Sequence, residues 1–389
     1  MAPKEVKILH CADFHLGAEF TTLGEKSVQR QREILFSFER IISICKEEKV
    51  DFLLIAGDLF DHIHIDNQIY SEVVDLFRRI PDTVIAISPG NHDPFAVDSW
   101  YFTRIWPDNV VIFRNNISCI VFPEKNVCLW GGGFTSTYHP DSFLPAVGGN
   151  EIEIDREMIN ICVMHGDLVA QGGTGFYNPI TKEQLRHQQF DYVALGHVHK
   201  RSEIQKAGKT FYSYAGSPEG HGFDEPGDLG VYIGMICKNR ISLEFRKTSQ
   251  RNYCELLVDI SDLQTNQEIV SRISKTLEEK FAEESANNLY KIILTGEIPE
   301  YLNIDPENIA QKISASCFFA KIEDQTRVAV DYETIAKDRS LKGLFVQKMR
   351  EEIEKARSSR NDKGLEAMQK ALQYGLKAFE GEVRIIENK

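Results

Sequence analysis

No apolar run in this chain of 389 residues is longer than a β-strand. Crossing a bilayer as a helix takes about 20 apolar residues, so a protein that spans a membrane through helices is excluded. Residues 1–20 also lack the charged, apolar and cleavage regions of a secretion signal in their usual order, and a cytoplasmic protein is expected. Close cysteine pairs are missing as well. The eight cysteines, Cys11, Cys45, Cys119, Cys128, Cys162, Cys237, Cys254 and Cys317, show no metal-type spacing, which leaves reduced thiols of a core as their reading. Positive charge is scarce, with 45 Lys and Arg against 58 Asp and Glu and a net charge of −13. That balance argues against a protein that grips nucleic-acid phosphates tightly on its own surface. Apolar residues are not scarce: at 42 % they suffice for a sizeable core, and the length fits two or three domains.

The informative content is a set of five polar blocks, each preceded by a strand-like apolar run. Asp13-x-His15 follows Val6-Lys7-Ile8-Leu9, Gly57-Asp58 follows Phe52-Leu53-Leu54-Ile55, and Gly90-Asn91-His92-Asp93 follows Val84-Ile85-Ala86-Ile87. His165-Gly166-Asp167 follows Ile159–Val163, and Gly196-His197-x-His199 follows Tyr192-Val193-Ala194-Leu195. Strands buried on both faces read as near-continuous apolar runs, and loops at the carboxyl edge of such a sheet converge on one crevice. A spacing of two puts Asp13 and His15, and likewise His197 and His199, on one side of an extended chain, so each pair is expected to face a single metal. Carboxylate, imidazole and amide ligands without a thiolate suit Mn²⁺, Fe²⁺ or Zn²⁺ better than the all-oxygen shells of Ca²⁺ or Mg²⁺. Any block alone is an ordinary turn or surface histidine. The ordered set points to a two-metal phosphoesterase.

In these blocks the chain resembles the calcineurin-like metallophosphoesterases, and within them the SbcD-type exonuclease subunits of bacterial double-strand-break processing complexes. The resemblance is closest over residues 1 to about 245. It implies an α/β fold, a metallophosphoesterase β-sandwich flanked by helices, with a small α/β capping domain and a helical C-terminal tail. It further implies that Asp13, His15, Asp58 and His199 hold one metal and that Asp58, Asn91, His165 and His197 hold the second, with Asp58 bridging. The preferred ion is Mn²⁺, with Fe²⁺ or Zn²⁺ as alternatives. His92, beside a ligand but not one itself, is expected to act as catalytic acid. The nuclease branch is marked by Ala12-Asp13-Phe14-His15-Leu16-Gly17, Ala56-Gly57-Asp58-Leu59-Phe60-Asp61, Tyr214-Ala215-Gly216-Ser217-Pro218 and Gly222-Phe223-Asp224-Glu225. Protein phosphatases of the superfamily carry Asp-Arg-Gly after the bridging aspartate, where this chain reads Asp61-His62-Ile63. Some nuclease relatives place a histidine at the position of Asp61, and His62 or His64 could stand in for it.

The expected organisation is a nuclease domain over 1–247, a capping domain over 250–328 and a partner-binding helical tail over 336–381. Apolar stripes over Val28–Cys45 and Asn67–Ile80 predict sheet-covering helices, which the resemblance also makes candidates for a homodimer interface. Residues 135–157 and the stretch around Gly172-Gly173-x-Gly175, Phe176 and Tyr177 read as irregular loops at the active-site edge. A phosphate cradle at these glycines lacks the lysine and the strand-to-helix context it needs. Strands at Cys254–Ile260, Leu289–Leu294 and Phe318–Ile322 alternate with helices at Gln267–Ser285 and Pro306–Ala315, a compact α/β unit. The tail shows a stripe of Leu341, Phe345, Met349 and Ile353, a break at 358–364, and a stripe of Leu365, Met368, Leu372 and Phe379. Between Ala336 and Phe379 eleven basic residues face six acidic ones. The helices either pack back on the cap or clasp an SMC-like, SbcC-type ATPase, and the resemblance favours the clasp.

The expected activity is Mn²⁺-dependent hydrolysis of DNA phosphodiesters by the nuclease subunit of an SbcCD-like repair complex, cytoplasmic and nucleoid-associated in use. Arg30, Arg32, Lys200 and Arg201 flank the blocks and are candidate contacts for the DNA backbone. A phosphodiesterase for small nucleotides and a non-catalytic scaffold for the ATPase are the alternatives. The cap and tail argue against the first, and the complete ligand set with His92 argues against the second.

Overall fold

A computed structural model describes residues 5–147, 152–358 and 362–379. Residues 1–258, 269–294 and 305–324 form one compact unit, and the rest of the chain from Asp259 forms a second. Among the described residues no helix is long and apolar enough to cross a membrane.

The first unit is built on two six-stranded sheets. In one, the order is Arg240–Lys247, Gly230–Cys237, Glu5–Cys11, Phe52–Ile55, Val84–Ile87, Val110–Ile112. In the other it is Gln205–Ala207, Thr210–Tyr214, Tyr192–Gly196, Ile159–His165, Val127–Gly133, Asn115–Phe122. The strands from Glu5 to Ile112 run parallel to one another, as do the four central strands of the second sheet. Alternation explains why the runs look uniformly apolar. Val6, Ile8, Phe52, Leu54 and Ala86 meet Leu129, Ile161, Val163 and Ala194 between the sheets. Their sequence neighbours Leu9, Cys11, Leu53, Ile55 and Ile87 turn the other way, under the helices. The apolar positions of the central strands are therefore buried on one face or the other. The result is a mixed α/β sandwich flanked by helices.

The helix Ser27–Glu47 buries Ile34, Phe38, Ile41, Ile42 and Cys45, and Asn67–Arg78 buries Val73, Leu76 and Phe77, both against the outer face of the first sheet. These are the faces that the apolar period of the sequence selects. The outer face of the second sheet is covered instead by loop residues Phe134, Phe143 and Leu144 and by Leu185 and Phe190. Of the long loop expected over 135–157, residues 148–151 lie outside the described residues.

A three-stranded sheet of Tyr253–Asp259, Leu289–Thr295 and Phe319–Asp324 carries the helices Asn266–Phe281 and Pro306–Lys312. Within the first unit it joins the sandwich through a buried ion network. Arg30 is fully buried and donates to Glu219 (2.7 Å) and Glu33 (3.0 Å), while Arg251 donates to Glu33 (2.7 Å) and lies 3.7 Å over the Phe318 ring. Arg30 is therefore not a DNA contact. A guanidinium with no exposure cannot reach a phosphate, and its charge is matched inside the protein. Arg201 is committed too, stacked 4.2 Å over Phe245 with Nη1 on Tyr232 Oη. Arg32 and Lys200 stay exposed.

The second unit consists mainly of the helices Tyr332–Lys337, Leu341–Ser358 and Asp362–Phe379. Part of the expected break, 359–361, and the end of the tail beyond 379 lie outside the described residues. The two stripes largely face each other. Val346, Leu372 and Leu376 are buried together, with Phe345, Met349, Ile353, Tyr332 and Ile335 packed around them. Leu372, on a stripe expected to pack on the cap or to clasp a partner, is thus covered within the hairpin: a stripe at helical spacing finds its cover first in the neighbouring helix. Leu341 belongs to the stripe by spacing alone, since it is 72 % exposed.

Candidate metal centre

All five blocks sit immediately beyond strand ends. Strands finish at Cys11, Ile55, Ile87, His165 and Gly196, and the loops that follow meet in one place. Two glycines there are demanded by close approach. A Cβ at Gly57 would overlap the His165 ring, and one at Gly90 would overlap the Asp58 carboxylate.

The geometry that brings each pair of ligands together is not the one expected from an extended chain. Asp13 (φ 55°), His15 (φ 48°), Asp58 (φ 49°) and His197 (φ 99°) all have left-handed backbone. Such conformations are of order 1–3 kcal/mol unfavourable for non-glycine residues and cluster where surroundings enforce them for function. Asp13 and His15 do converge, in a group with His199 whose donor atoms lie within 4.8 Å of one another. His197 and His199 diverge. His199 Nε2 stands 3.2 Å from His15 Nε2, whereas His197 Nδ1 stands 3.2 Å from Asn91 Oδ1. Leaving the pleat at Gly196 is what separates them, because the alternation rule holds only within a strand.

Two groups of acceptors result. One holds Asp13, His15 and His199; the other holds His165, Asn91 and His197, with His165 Nε2 2.9 Å from Asn91 Oδ1. Asp58 stands between them, its Oδ2 3.8 Å from His15 Nε2 and 3.3 Å from His165 Nε2.

Each of the four histidines is held by its other ring nitrogen. His15 Nδ1–H donates to Asp61 (3.0 Å), His199 Nδ1–H to Glu225 (2.6 Å) and His165 Nδ1–H to the Ala56 carbonyl (2.9 Å), while His197 Nε2 lies 3.3 Å from the Asp167 carboxylate. This is the arrangement that fixes ring orientation and tautomer in metal-binding histidines. It also tests whether a cation fits. With both Nδ1 atoms committed to carboxylates, the Nε2 atoms of His15 and His199 face each other at 3.2 Å, sharing a proton when no ion is bound. That separation is close to the ~3.3 Å between two nitrogens at ~2.0 Å from a tetrahedral ion.

The electrostatics agree. Burial by itself would raise Asp58, but the adjoining His165, His15 and His92 hold it well below the usual carboxylate range. Burial would lower His165 and His199, yet Asp58 and Asp13 around the first, and Glu225, Asp13 and Asp58 around the second, push both up to about 9. Carboxylates held down and imidazoles pushed up both mark a place that favours positive charge. Asp93 differs. Burial and the Asp58 charge push it up to about 7, and it ties the loops together by accepting from Gly90 N–H, Phe60 N–H and Tyr101 O–H.

His92 donates its backbone N–H to Asp58 (2.9 Å) and its Nδ1–H to the Asp61 carbonyl (3.2 Å), with 45 % of its side chain exposed. It lines a cavity of about 450 Å³ together with Asn91, Asp61, His62, Tyr138 and Tyr177. The question of Asp61 has a geometric answer: it orients His15. His62 pairs with Asp61 (3.0 Å), and His64 turns to Asp98 (3.4 Å), so neither replaces Asp61 at the ligands. Sequence reasoning assigned no role to Glu225 or Asp167, although both stand inside quoted motifs. It also passed over His221, which donates to the Phe14 carbonyl (3.0 Å) beside Glu225.

Residues 6–201 match the family described as Calcineurin-like phosphoesterase. The chain is 28 % identical over 309 residues to the uncharacterized metallophosphoesterase YhaO of Bacillus subtilis (strain 168), covering 77 % of this chain and 74 % of that protein. Among solved structures, that of TT1561 of Thermus thermophilus aligns with 62 % of this chain and 98 % of its own, at 10 % identity and a TM-score of 0.37.

Proposed function

The chain belongs to the calcineurin-like phosphoesterase family, a family of metal-dependent phosphoester hydrolases that use two divalent ions, and we propose that it is a DNA phosphodiesterase. In this reading it is the exonuclease subunit of an SbcCD-like repair complex. Asp13, His15, Asp58 and His199 hold the first ion, and Asp58, Asn91, His165 and His197 hold the second. Mn²⁺ is the preferred metal for this mixed nitrogen and oxygen set. The observation that carries the reading is the convergence of two acceptor groups on Asp58, with His92 beside them at the mouth of an open cavity.

When bound, the ions activate a water for in-line attack and neutralise charge on the phosphoryl oxygens. The protein positions and protonates. With Nδ1–H spent on the Asp61 carbonyl, His92 keeps Nε2 for the substrate; in its imidazolium form it gives the Nε2 proton to the leaving oxygen and is left as neutral imidazole. Asp61, Glu225 and Asp167 hold the ligand rings in the tautomer that offers a lone pair inward. Among the described residues no arginine or lysine lines the cavity, which suits a singly charged diester better than a doubly charged monoester.

Two further parts of the proposal concern partners. Val28 and Phe36 on the helix Ser27–Glu47 are exposed beside a groove lined by Leu35, Ile65 and Ile69, a surface suited to a homodimer. The tail would meet an SMC-like ATPase with the outer face of its hairpin, where Leu341, Leu344 and Tyr374 are exposed. The test is cleavage of end-labelled single- and double-stranded DNA, cyclic dinucleotides and a generic phosphodiester, each with Mn²⁺ and with EDTA. Mn²⁺-dependent, EDTA-sensitive shortening of DNA is expected; cleavage confined to the small substrates would support a small-nucleotide phosphodiesterase instead.

A further inference from the structure

Two loops beside the metal centre hold three aromatic rings, Tyr138 and Phe176 outside both sheet cores and Tyr177 packed against the edge of one. One follows the strand Val127–Gly133 and carries Tyr138; the other follows Ile159–His165 and carries Phe176 and Tyr177. Their main chains are stitched together. His139 N–H donates to the Phe176 carbonyl (2.8 Å), and Asn178 N–H donates to the His139 carbonyl (2.7 Å). Beneath them the buried Asn178 side chain accepts from Phe143 N–H (2.7 Å) and donates to the carbonyl of His165 (2.8 Å). The rings are thus fixed to the same strand end that presents a candidate ligand.

The rings form a series leading away from the metals. Tyr177 lies 4.8 Å from the His197 ring, Tyr138 stacks on Tyr177 at 5.9 Å with 27° between planes, and Phe176 meets Tyr138 edge-on at 6.3 Å. Tyr138 is 59 % exposed and Phe176 67 %. Aromatic rings held rigid yet left in water are poised for a flat apolar partner. Tyr138 and Tyr177 line the same cavity as Asn91 and His92, so whatever fills it meets rings on one side and the metal edge on the other. One ligand class combines a phosphodiester with a flat π-face at that range, namely a nucleotide whose base is unpaired.

We infer that Tyr138 and Tyr177, flanked by Phe176, form a stacking shelf for the nucleobase adjoining the scissile phosphodiester, and that the substrate is engaged as single-stranded nucleic acid. The inference rests on the phosphodiesterase reading above and narrows its substrate. Stacking on aromatic side chains tolerates every base because each has a π-face. A paired base cannot use the shelf without leaving its duplex stack, so duplex DNA is taken up only where an end has frayed.

The test uses the full chain with Mn²⁺ and a single-stranded oligonucleotide, either fully base-bearing or abasic on both sides of one defined linkage. Removing a base–aromatic stack weakens binding by roughly 5- to 150-fold. The wild type should therefore show a KM lower by that range on the base-bearing strand, Tyr138→Ala should bring the ratio of the two KM values to about one, and Tyr138→Phe should restore it. A wild type that cuts both strands with equal KM, or a Tyr138→Ala protein that keeps the wild-type ratio, overturns the shelf while leaving the phosphodiesterase reading intact. Failure to cut either strand overturns that reading. The shelf is then judged by 2-aminopurine fluorescence, whose quenching in the wild type and loss in Tyr138→Ala support it, and whose absence in the wild type refutes it.

Discussion

Glu225 offers a perturbation whose consequences differ between two pH values. Its carboxylate accepts from His199 Nδ1 at 2.6 Å and from His221 N–H at 3.1 Å. In Glu225→Gln the geometry can survive while the charge is lost. Losing a charged partner of a metal-binding histidine reduces metal affinity by ~10–100-fold. Against this stands proton competition. His199, pushed up to about 9 despite its burial, is protonated below that pH in the metal-free protein, so its ion must displace a proton. Affinity for that ion is therefore lost as pH falls below about 9, by roughly tenfold per unit and roughly 100-fold at pH 7. Without the Glu225 charge, which contributes the largest upward influence on His199, its pKa falls and much of that competition disappears, Asp13 and Asp58 keeping the rest. Near pH 7 the two effects should roughly cancel. At pH 8.5, where little competition is left to relieve, the variant should bind its first ion roughly 3- to 30-fold more weakly. Mn²⁺ titrations followed by the resonance signal of the free ion, at several values between pH 6.5 and 8.5, give the slopes. His165, pushed up to about 9 by Asp58 and Asp13 rather than by Glu225, keeps the second ion proton-coupled in both proteins and serves as an internal reference. A variant whose first-ion affinity rises with pH as steeply as that of the wild type would refute the assignment of Glu225 as the group that sets His199.

Asp58→Ala should lose both ions together, because its carboxylate reaches both histidine groups, and two bound ions per chain by metal analysis would rule out a bridge. His92→Ala should keep its metals and lose DNA cleavage by about 10²–10⁴-fold, with a smaller loss on an activated leaving group; equal losses on both substrates would assign His92 to positioning instead. Glu219→Ala leaves buried Arg30 with Glu33 and the Gly220 carbonyl, and takes the Glu219 acceptor from Ser37 Oγ and Gln250 N–H. It should destabilise the protein by about 3–5 kcal/mol in denaturant titration, against under ~1 kcal/mol if the network contributes little. Removing residues after about 335 should preserve Mn²⁺-dependent cutting of single strands and abolish capture of an SMC-like ATPase. Leu341→Asp should weaken capture without unfolding the hairpin, and undiminished capture by both proteins would exclude docking through the tail.

The fold and the list of candidate ligands were legible for one physical reason. Strands buried on both faces must be apolar throughout, so Val6–Leu9, Phe52–Ile55, Val84–Ile87 and Tyr192–Leu195 announce themselves, and a polar block at the end of each can only lie on the carboxyl edge. How the ligands point was not legible, because it depends on backbone that leaves the strand. The left-handed turns at Asp13, His15 and Asp58 and the departure after Gly196 are set by contacts between loops, such as the crowding of Gly57 by His165, and no local pattern encodes them. The partners of the ligands were invisible for a related reason. Asp61 lies 46 positions from His15, and Glu225 lies 26 positions from His199. A carboxylate has no signature that separates one aimed at a buried histidine from one in water.

Charge and amphipathicity misled where they were read without a neighbour. Arg30 beside a metal motif looked like a hand held out to DNA, yet its position on the helix Ser27–Glu47 turns it inward, where Glu219 and Glu33 neutralise it. The tail stripes looked like surfaces awaiting a partner. A stripe, however, encodes only that a face must be covered, and in a helical hairpin the nearest cover is the other helix. Phe345, Met349 and Ile353 of the first stripe pack with Leu372 of the second around Val346 and Leu376. Left exposed on the hairpin are Leu341, Leu344, Tyr374 and Phe379, of which the spacing rule had selected Leu341 and Phe379 as members of the seam. Exposure, which the period alone does not give, decides which apolar side chains are open to a proposed partner. For the same reason Tyr138 and Phe176, exposed and outside any strand or helix, carry the substrate inference, while the buried aromatics of the two sheets carry only the fold.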